Sequence, residues 1–162
     1  MSNYFEDLVI DAPIVLGSHV FGRNEIVDFA RKFDPQPFHL DEEAARDGLF
    51  GGLAASGWHT SAIGLRLMVD HRQREADLIA LRGERPARYG PSPGFETLKW
   101  LKPVLVGDTL TYTAHIRQKA DSRSRPDVGL VFTQIEAVNQ GNDLVFSVVT
   151  KVFVERRAPF AG

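Results

Sequence analysis

The stretch FGGLAASGWHTSAIGLRLMV, residues 50–69, decides how this chain folds. It opens with small residues and continues as an apolar segment in which Arg66 is the only formal charge. Between Ala55 and Val69 the apolar positions recur at helical spacing. A helix that is apolar almost all round belongs in a protein core. We therefore predict a buried helix over residues 53–69, with a first half small enough for a sheet to pack closely against it.

Three shorter elements are expected before this helix. Residues 14–21 are rich in β-forming side chains and predict a strand. The apolar positions of residues 24–33 fall on one helical face, and Asn24 is a reasonable N-cap for that helix. A short helix follows at residues 41–46, which Gly48 would end.

The part of the chain that follows the long helix changes from charged to β-rich. Residues 71–88 predict a surface segment or a cap on the helix, and residues 90–94 predict a loop. Strands are predicted at residues 95–102, 109–118, 128–138 and 144–154. The last strand is apolar on both faces and so needs two covering partners. The long helix supplies one and a second subunit is the natural candidate for the other, which gives an α+β fold.

The composition is that of an ordinary globular protein. With 162 residues, 43% of them hydrophobic and 25% charged, we expect one domain over residues 1–162. The net charge of -2 gives no indication of a nucleic-acid or membrane partner, and no apolar run is long enough to span a bilayer. The absence of cysteine excludes disulfides and thiolate chemistry. The first residues do not resemble a signal peptide, so a cytoplasmic location is expected.

Asp34 and His39 stand five positions apart in DPQPFHLD, residues 34–41. The two prolines predict a stiff, extended turn from residue 34 to residue 38. One interpretation is a pair that holds and deprotonates water, with neighbouring phenylalanines raising the basicity of the carboxylate. The alternative is that Asp34 only ends a helix and His39 only caps the next one.

The small residues 51–57 also have two interpretations. Glycine and alanine permit close packing of a helix on a sheet. The free N–H groups of a helix start, supported by the helix dipole, can instead polarise a carbonyl oxygen. Ser56 is not part of a Gly-x-Ser-x-Gly elbow, and the histidines share no metal-ligand spacing. Arg72 and Arg74 are expected on the solvated surface or against the phosphates of a carrier.

Three motifs together resemble the MaoC-like dehydratases, which include the (R)-specific enoyl-CoA hydratases with a hotdog fold. The stretch at residues 34–41 is similar to the signature Asp-x-Asn-Pro-x-His-x-Asp of that family. FGGLAASG at residues 50–57 resembles its Phe-Gly-x-x-x-Ala-x-Gly segment before the central helix. LKWLKPVLVGD at residues 98–108 resembles its strand followed by a Pro-Val-x-x-Gly-Asp turn.

This resemblance implies an antiparallel sheet wrapped around the long helix, and a homodimer or higher homo-oligomer in which the sheet is continuous. It implies that Asp34 and His39 hold the water added across the 2,3 double bond of an acyl-CoA thioester. The thioester oxygen would be bound by main-chain N–H groups of Ala54, Ala55, Ser56 and Gly57. No metal or redox cofactor is implied. A hotdog thioesterase and a non-catalytic acyl-binding subunit are the alternatives.

The sequence departs from the family pattern at two places. Gln36 stands where the family has asparagine, which adds a methylene in a tight turn. Ser56-Gly57 replaces the frequent His-Gly. A further serine of some members would fall at Ala62, one position after Ser61, and is not carried over.

Overall fold

The computed structural model describes residues 3–160, and residues 1–2 and 161–162 of the predicted domain lie outside the described residues. After a 3-10 turn at Phe5–Asp7, the elements in chain order are β1 (Pro13–Val20), α1 (Arg23–Phe33), α2 (Pro37–Leu40), α3 (Glu42–Arg46), α4 (Gly57–Leu81), β2 (Gly94–Trp100), β3 (Thr109–Asp121), β4 (Val128–Val138) and β5 (Leu144–Glu155). The predicted α+β fold, an antiparallel sheet with one long helix, is confirmed.

The five strands form one sheet in the order β1-β3-β4-β5-β2, and every neighbouring pair is antiparallel. Along β3 and β4, buried residues alternate with half-buried ones, because successive side chains of a strand point to opposite faces. The buried face carries Tyr112, Ala114 and Ile135, which belong to the core cluster that α4 completes. Strands β1 and β2 are the two edges.

Helix α4 approaches the sheet closely at Gly64. A Cβ at this position would lie 3.0 Å from the ring of Tyr112, so any larger residue would require the ring or the helix to shift. The hydroxyl of Tyr112 donates a hydrogen bond to the carbonyl of Thr60 at 2.9 Å, which satisfies a polar group that is completely buried. Helix and sheet are therefore held in a fixed relative position.

The start of α4 differs from the prediction by four residues. The helix begins at Gly57, with Ser56 as its N-cap. The preceding residues are extended, because the N–H groups of Ala54 and Ala55 donate to the carbonyls of Phe38 and Val104. The helical spacing of apolar residues cannot reveal these hydrogen bonds, because the acceptors lie far away in the sequence.

The end of α4 lies at Leu81, well beyond the predicted residue 69. The charged segment that was expected to be surface structure continues the helix. Two side-chain pairs at i,i+4 support it, Arg66 with Asp70 and Gln73 with Asp77.

The prediction that this helix is buried all round is wrong for the single chain. Leu65 is 60% exposed and Val69 is 50% exposed, so one face of α4 presents apolar side chains to solvent. Even so, none of the helices in the described part of the chain is long and apolar enough to cross a membrane.

Two details of the helices before α4 also differ from the prediction. The N-cap of α1 is Gly22 rather than Asn24, and its N–H donates to the carboxylate of Glu25 at 2.8 Å. The extended turn predicted for residues 34–38 is shorter, because Pro37 begins the one-turn helix α2. Proline suits the first position of a helix, where its missing N–H has no intrahelical partner in any case.

Candidate active site

Asp34 and His39 face each other across the turn between α1 and α2. Asp34 ends α1, and its N–H donates to the carbonyl of Ala30. His39 lies on the single turn of α2 and is 5% exposed. The Nε2 atom of His39 lies 3.4 Å from Oδ2 of Asp34. The structure thus brings together the two side chains that the sequence proposed as a pair.

The backbone fixes the orientation of the His39 ring. Its Nδ1 atom lies 2.7 Å from the carbonyl oxygen of Ala54, which only accepts hydrogen bonds. Nδ1 therefore carries the proton, and in the neutral ring Nε2 presents a lone pair toward Asp34. His39 does not cap α3, because Asp41 caps that helix by accepting from the N–H groups of Glu43 and Ala44. That part of the alternative interpretation is wrong.

Two neighbouring side chains hold the carboxylate of Asp34. The hydroxyl of Ser56 donates to Oδ2 at 2.7 Å, and the amide of Gln36 donates to Oδ1 at 2.7 Å. Burial alone would raise the pKa of Asp34, but these two hydrogen bonds and the nearby His39 lower it below its usual value. The expectation that apolar neighbours raise the basicity of Asp34 is therefore wrong. Phe33 contributes little shielding, because it is 70% exposed.

Of the four residues proposed to bind an oxyanion, only two have a main-chain N–H available. Ala54 and Ala55 already donate to backbone carbonyls, which corrects their predicted role. Within residues 3–160, the N–H groups of Ser56 and Gly57 have no hydrogen-bond acceptor. They lie at the N-terminal end of α4, where the helix dipole favours negative charge.

These groups line one cavity of about 590 Å³. Asp34, His39, Ser56 and Gly57 contribute to its wall together with aromatic residues, including Trp100. The indole of Trp100 covers Gly57 so closely that a Cβ there would lie 2.5 Å from the ring. The cavity therefore combines two hydrogen-bond acceptors, two free N–H donors and apolar walls.

The two departures from the family pattern have structural consequences. The longer side chain of Gln36 folds back, and its amide donates to Asp34. Ser56 supplies a hydroxyl that spans 22 positions of the chain to the same carboxylate. The sequence gives no sign that the Ser56 hydroxyl contacts Asp34, because the two residues are far apart in the chain. Gln36 is only two positions from Asp34, but the sequence analysis treated it as a disturbance of the turn rather than as a hydrogen-bond donor. Ser61 instead donates to the carbonyl of Gly57 and accepts from the indole of Trp100.

The chain also matches a known protein family. The family described as "MaoC like domain" matches residues 8–139, which is most of the chain. The chain belongs to the MaoC-like domain family. The resemblance of the three sequence motifs is thereby confirmed.

Solved structures and one curated protein are similar to this MaoC-like chain. A MaoC-like dehydratase from Rhodospirillum rubrum is 38% identical, with a TM-score of 0.79 over 97% of this chain and 99% of that one. An (R)-hydratase from A. caviae has the same fold at 22% identity, with a TM-score of 0.63 over 91% of this chain and 97% of that one. The uncharacterized protein YdeM of Bacillus subtilis (strain 168) is 29% identical over 83% of this chain and 86% of its own length.

Replacing Ser56 with alanine should shift the pH dependence of this MaoC-like protein. The variant loses a hydrogen bond that lowers the pKa of Asp34, so that pKa rises. If the ionised carboxylate is the active form, the acidic limb of kcat/KM then moves to higher pH. A hydrogen bond to a charged group contributes about 1.5–3 kcal/mol, so its loss is large enough for the displacement of the limb to be measured.

The measurement is a pH profile of kcat/KM for the wild type, Ser56→Ala and the control Ser61→Ala. Ser61 lies on the same helix and does not contact Asp34. The loss of the Ser56 N-cap also costs about 1 kcal/mol of stability, which a melting curve records separately. An unshifted limb in Ser56→Ala, or an equal shift in Ser61→Ala, would contradict the assignment.

Proposed function

We propose that this MaoC-like protein is a hydratase or dehydratase that adds water reversibly across the 2,3 double bond of an enoyl-CoA thioester. The observation that carries the proposal is the pair of acceptors Asp34 Oδ2 and His39 Nε2, 3.4 Å apart in one cavity with the N–H groups of Ser56 and Gly57. A water molecule has two hydrogens and can donate one to each acceptor. Its oxygen is then directed toward the substrate.

The reaction would proceed through an enolate. The water oxygen bonds to C3 of the enoyl group while the pair Asp34 and His39 accepts a proton from it. The π electrons move toward the thioester oxygen, whose negative charge the N–H groups of Ser56 and Gly57 would stabilise. The proton then passes from the pair to C2, which gives the 3-hydroxyacyl thioester and restores the pair. Every step uses groups of this chain, so we propose that no cofactor takes part.

Product analysis with a short trans-2-enoyl-CoA tests this proposal. We expect loss of the ultraviolet absorbance of the conjugated thioester and formation of 3-hydroxyacyl-CoA, with no free thiol. Release of free CoA would instead identify a thioesterase, in which the same water attacks the carbonyl carbon. Binding of the thioester without any product would identify a non-catalytic acyl-binding subunit.

We also propose that the protein is a homodimer that covers the exposed face of α4. Leu65 and Val69 on that face and Phe95 on the edge strand β2 are each at least half exposed. An edge strand with unpaired backbone groups beside exposed apolar side chains is suited to pairing with a second copy. The predicted continuous sheet would form by β2 pairing with its counterpart.

The substitution Val69→Asp should dissociate this dimer. A charge buried in an interface without a partner costs several kcal/mol, so we expect the dimer dissociation constant to rise at least about 100-fold. Sedimentation equilibrium measures it directly. Leu81→Asp is the matched control, because Leu81 is 83% exposed at the far end of the same helix. A wild-type protein that sediments as a monomer would refute the proposed dimer.

A further inference from the structure

A second cavity, of about 380 Å³, lies between α4 and strands β2, β4 and β5. Its walls are largely apolar and include Leu65, Met68, Leu98 and Phe146. Trp58 lines both this cavity and the active-site cavity, so the two adjoin there. The chemistry proposed for Asp34 and His39 makes no use of this second space.

Two cationic side chains line the second cavity, and only one of them has a carboxylate partner. The ammonium of Lys151 forms an ion pair with Glu96. The guanidinium of Arg72 stacks over the ring of Tyr89, with its central carbon 4.5 Å from the ring centroid. No carboxylate among residues 3–160 lies within 4.0 Å of Arg72. Of the two positions expected for Arg72, the fully solvated surface does not describe it, because its side chain is half-buried and lines this cavity.

Arg72 is half-buried, and its position is partly shielded from water. This partial burial lowers the pKa of Arg72, because it disfavours the charged form. Withdrawing a cation from water is costly unless another group compensates the charge. Stacking on Tyr89 compensates one face of the guanidinium. The N–H groups along its edge remain without an acceptor from the described residues.

We propose that this cavity binds a linear aliphatic chain that ends in a carboxylate, and that Arg72 binds this carboxylate. The apolar walls accommodate the chain, and the planar fork of a guanidinium matches the two oxygens of a carboxylate. Arg72 follows Trp58 by fourteen residues of α4, or about 21 Å along the helix. The carboxylate therefore binds at the end of the cavity remote from Asp34 and His39.

The aliphatic chain can belong to either of two kinds of molecule. It is either the acyl group of an enoyl-CoA that carries a second, distal carboxylate, in which case the inference rests on the proposed function, or a separate fatty acid. The shared chemistry is an aliphatic chain with a terminal carboxylate. A binding experiment tests this chemistry without any turnover, and a kinetic experiment distinguishes the sources.

The binding experiment compares decanoate with decanamide by calorimetry. The two ligands differ in charge but not in length. We expect the wild type to bind decanoate at least about tenfold more tightly, and Arg72→Gln to lose this preference. Arg66→Gln should keep it, because Arg66 lies on the same helix, is exposed and pairs with Asp70. A melting curve of Arg72→Gln checks that the variant is folded.

The kinetic experiment compares trans-2-hexadecenoyl-CoA with its analogue that carries a carboxylate at the distal end, because a chain of this length can extend from the active site toward Arg72. If the acyl group is the source, the wild type should prefer the carboxylated substrate at least about tenfold in kcat/KM, and Arg72→Gln should not. Carboxylate-selective binding without this kinetic preference would identify a separate fatty acid. Selective binding in a protein that hydrates no enoyl-CoA would refute the proposed function and leave this inference standing.

Two results would overturn the inference. Equal affinity of the wild type for decanoate and decanamide would show that Arg72 does not recognise a carboxylate. Dissociation of the dimer in Arg72→Gln, without any change in the selectivity for decanoate, would assign Arg72 to the subunit interface.

Discussion

The substitution Asp34→Asn should lower kcat/KM for enoyl-CoA hydration by at least about 100-fold, the scale on which general acid–base groups contribute. An amide cannot accept a proton from water at neutral pH, whereas the carboxylate can. The polar contacts of the site can persist, because an asparagine oxygen accepts from Ser56 as the aspartate does. The loss should therefore fall on turnover rather than on folding. Steady-state rates with a short trans-2-enoyl-CoA measure it.

Asp28→Asn is the matched control for this experiment. Asp28 lies on α1, the helix that Asp34 ends, and it is exposed and ion-paired with Arg31. Its substitution changes the net charge by the same amount without altering the cavity, so activity should remain within about twofold of the wild type. A wild-type rate in Asp34→Asn would remove this residue from the mechanism. Equal losses in both variants would point to a general effect of charge.

The sequence predicts the strands better than the helix boundaries, because the pattern of a strand is contained within its own segment. Alternation along residues 109–118 and 128–138 is a property of each segment alone, and the structure has β3 and β4 at these positions. The beginning of α4 depends instead on the pairing of Ala54 with Leu105 and on the bond from Ala55 to Val104. These contacts join segments about 50 residues apart.

The candidate site was predicted in the same uneven way. Asp34 and His39 are close in sequence and on either side of a stiff turn, so their proximity follows from local structure. The bonds from Ser56 to Asp34 and from His39 to the carbonyl of Ala54 depend on how residues 54–56, before α4, pack against the end of α1 and against α2. The sequence alone identifies the reacting groups. It does not show the direction of the His39 lone pair or the direction in which the pKa of Asp34 is shifted.

The position of Arg72 shows the same limit in the second cavity. A charged segment after an apolar helix predicts a solvated surface, since charge alone carries no information about which face it occupies. Because the segment continues α4, Arg72 falls one turn after Met68, on the face that the sheet covers. The helix period, extended beyond residue 69, would have placed it there.

The second large effect is expected at His39, where two substitutions separate the role of the ring in turnover from its role in stability. His39→Ala should lower kcat/KM at least about 100-fold by removing the acceptor Nε2. It also leaves the carbonyl of Ala54 without its partner, which costs about 1–3 kcal/mol of stability. In His39→Asn, the side-chain amide can still donate to Ala54, because its nitrogen occupies a place similar to Nδ1 of the ring. Activity should fall equally, while the melting temperature should fall less.

This pair of variants separates catalysis from positioning at one residue. His115→Asn is the control for histidine loss, since His115 lies half-buried on β3, away from the active-site cavity. If His39→Asn hydrates enoyl-CoA at the wild-type rate, the ring serves only to hold the carbonyl of Ala54 and orders the start of α4. Asp34 would then be the only side-chain acceptor for water. A loss in His39→Asn as large as that in Asp34→Asn indicates instead that turnover needs both acceptors.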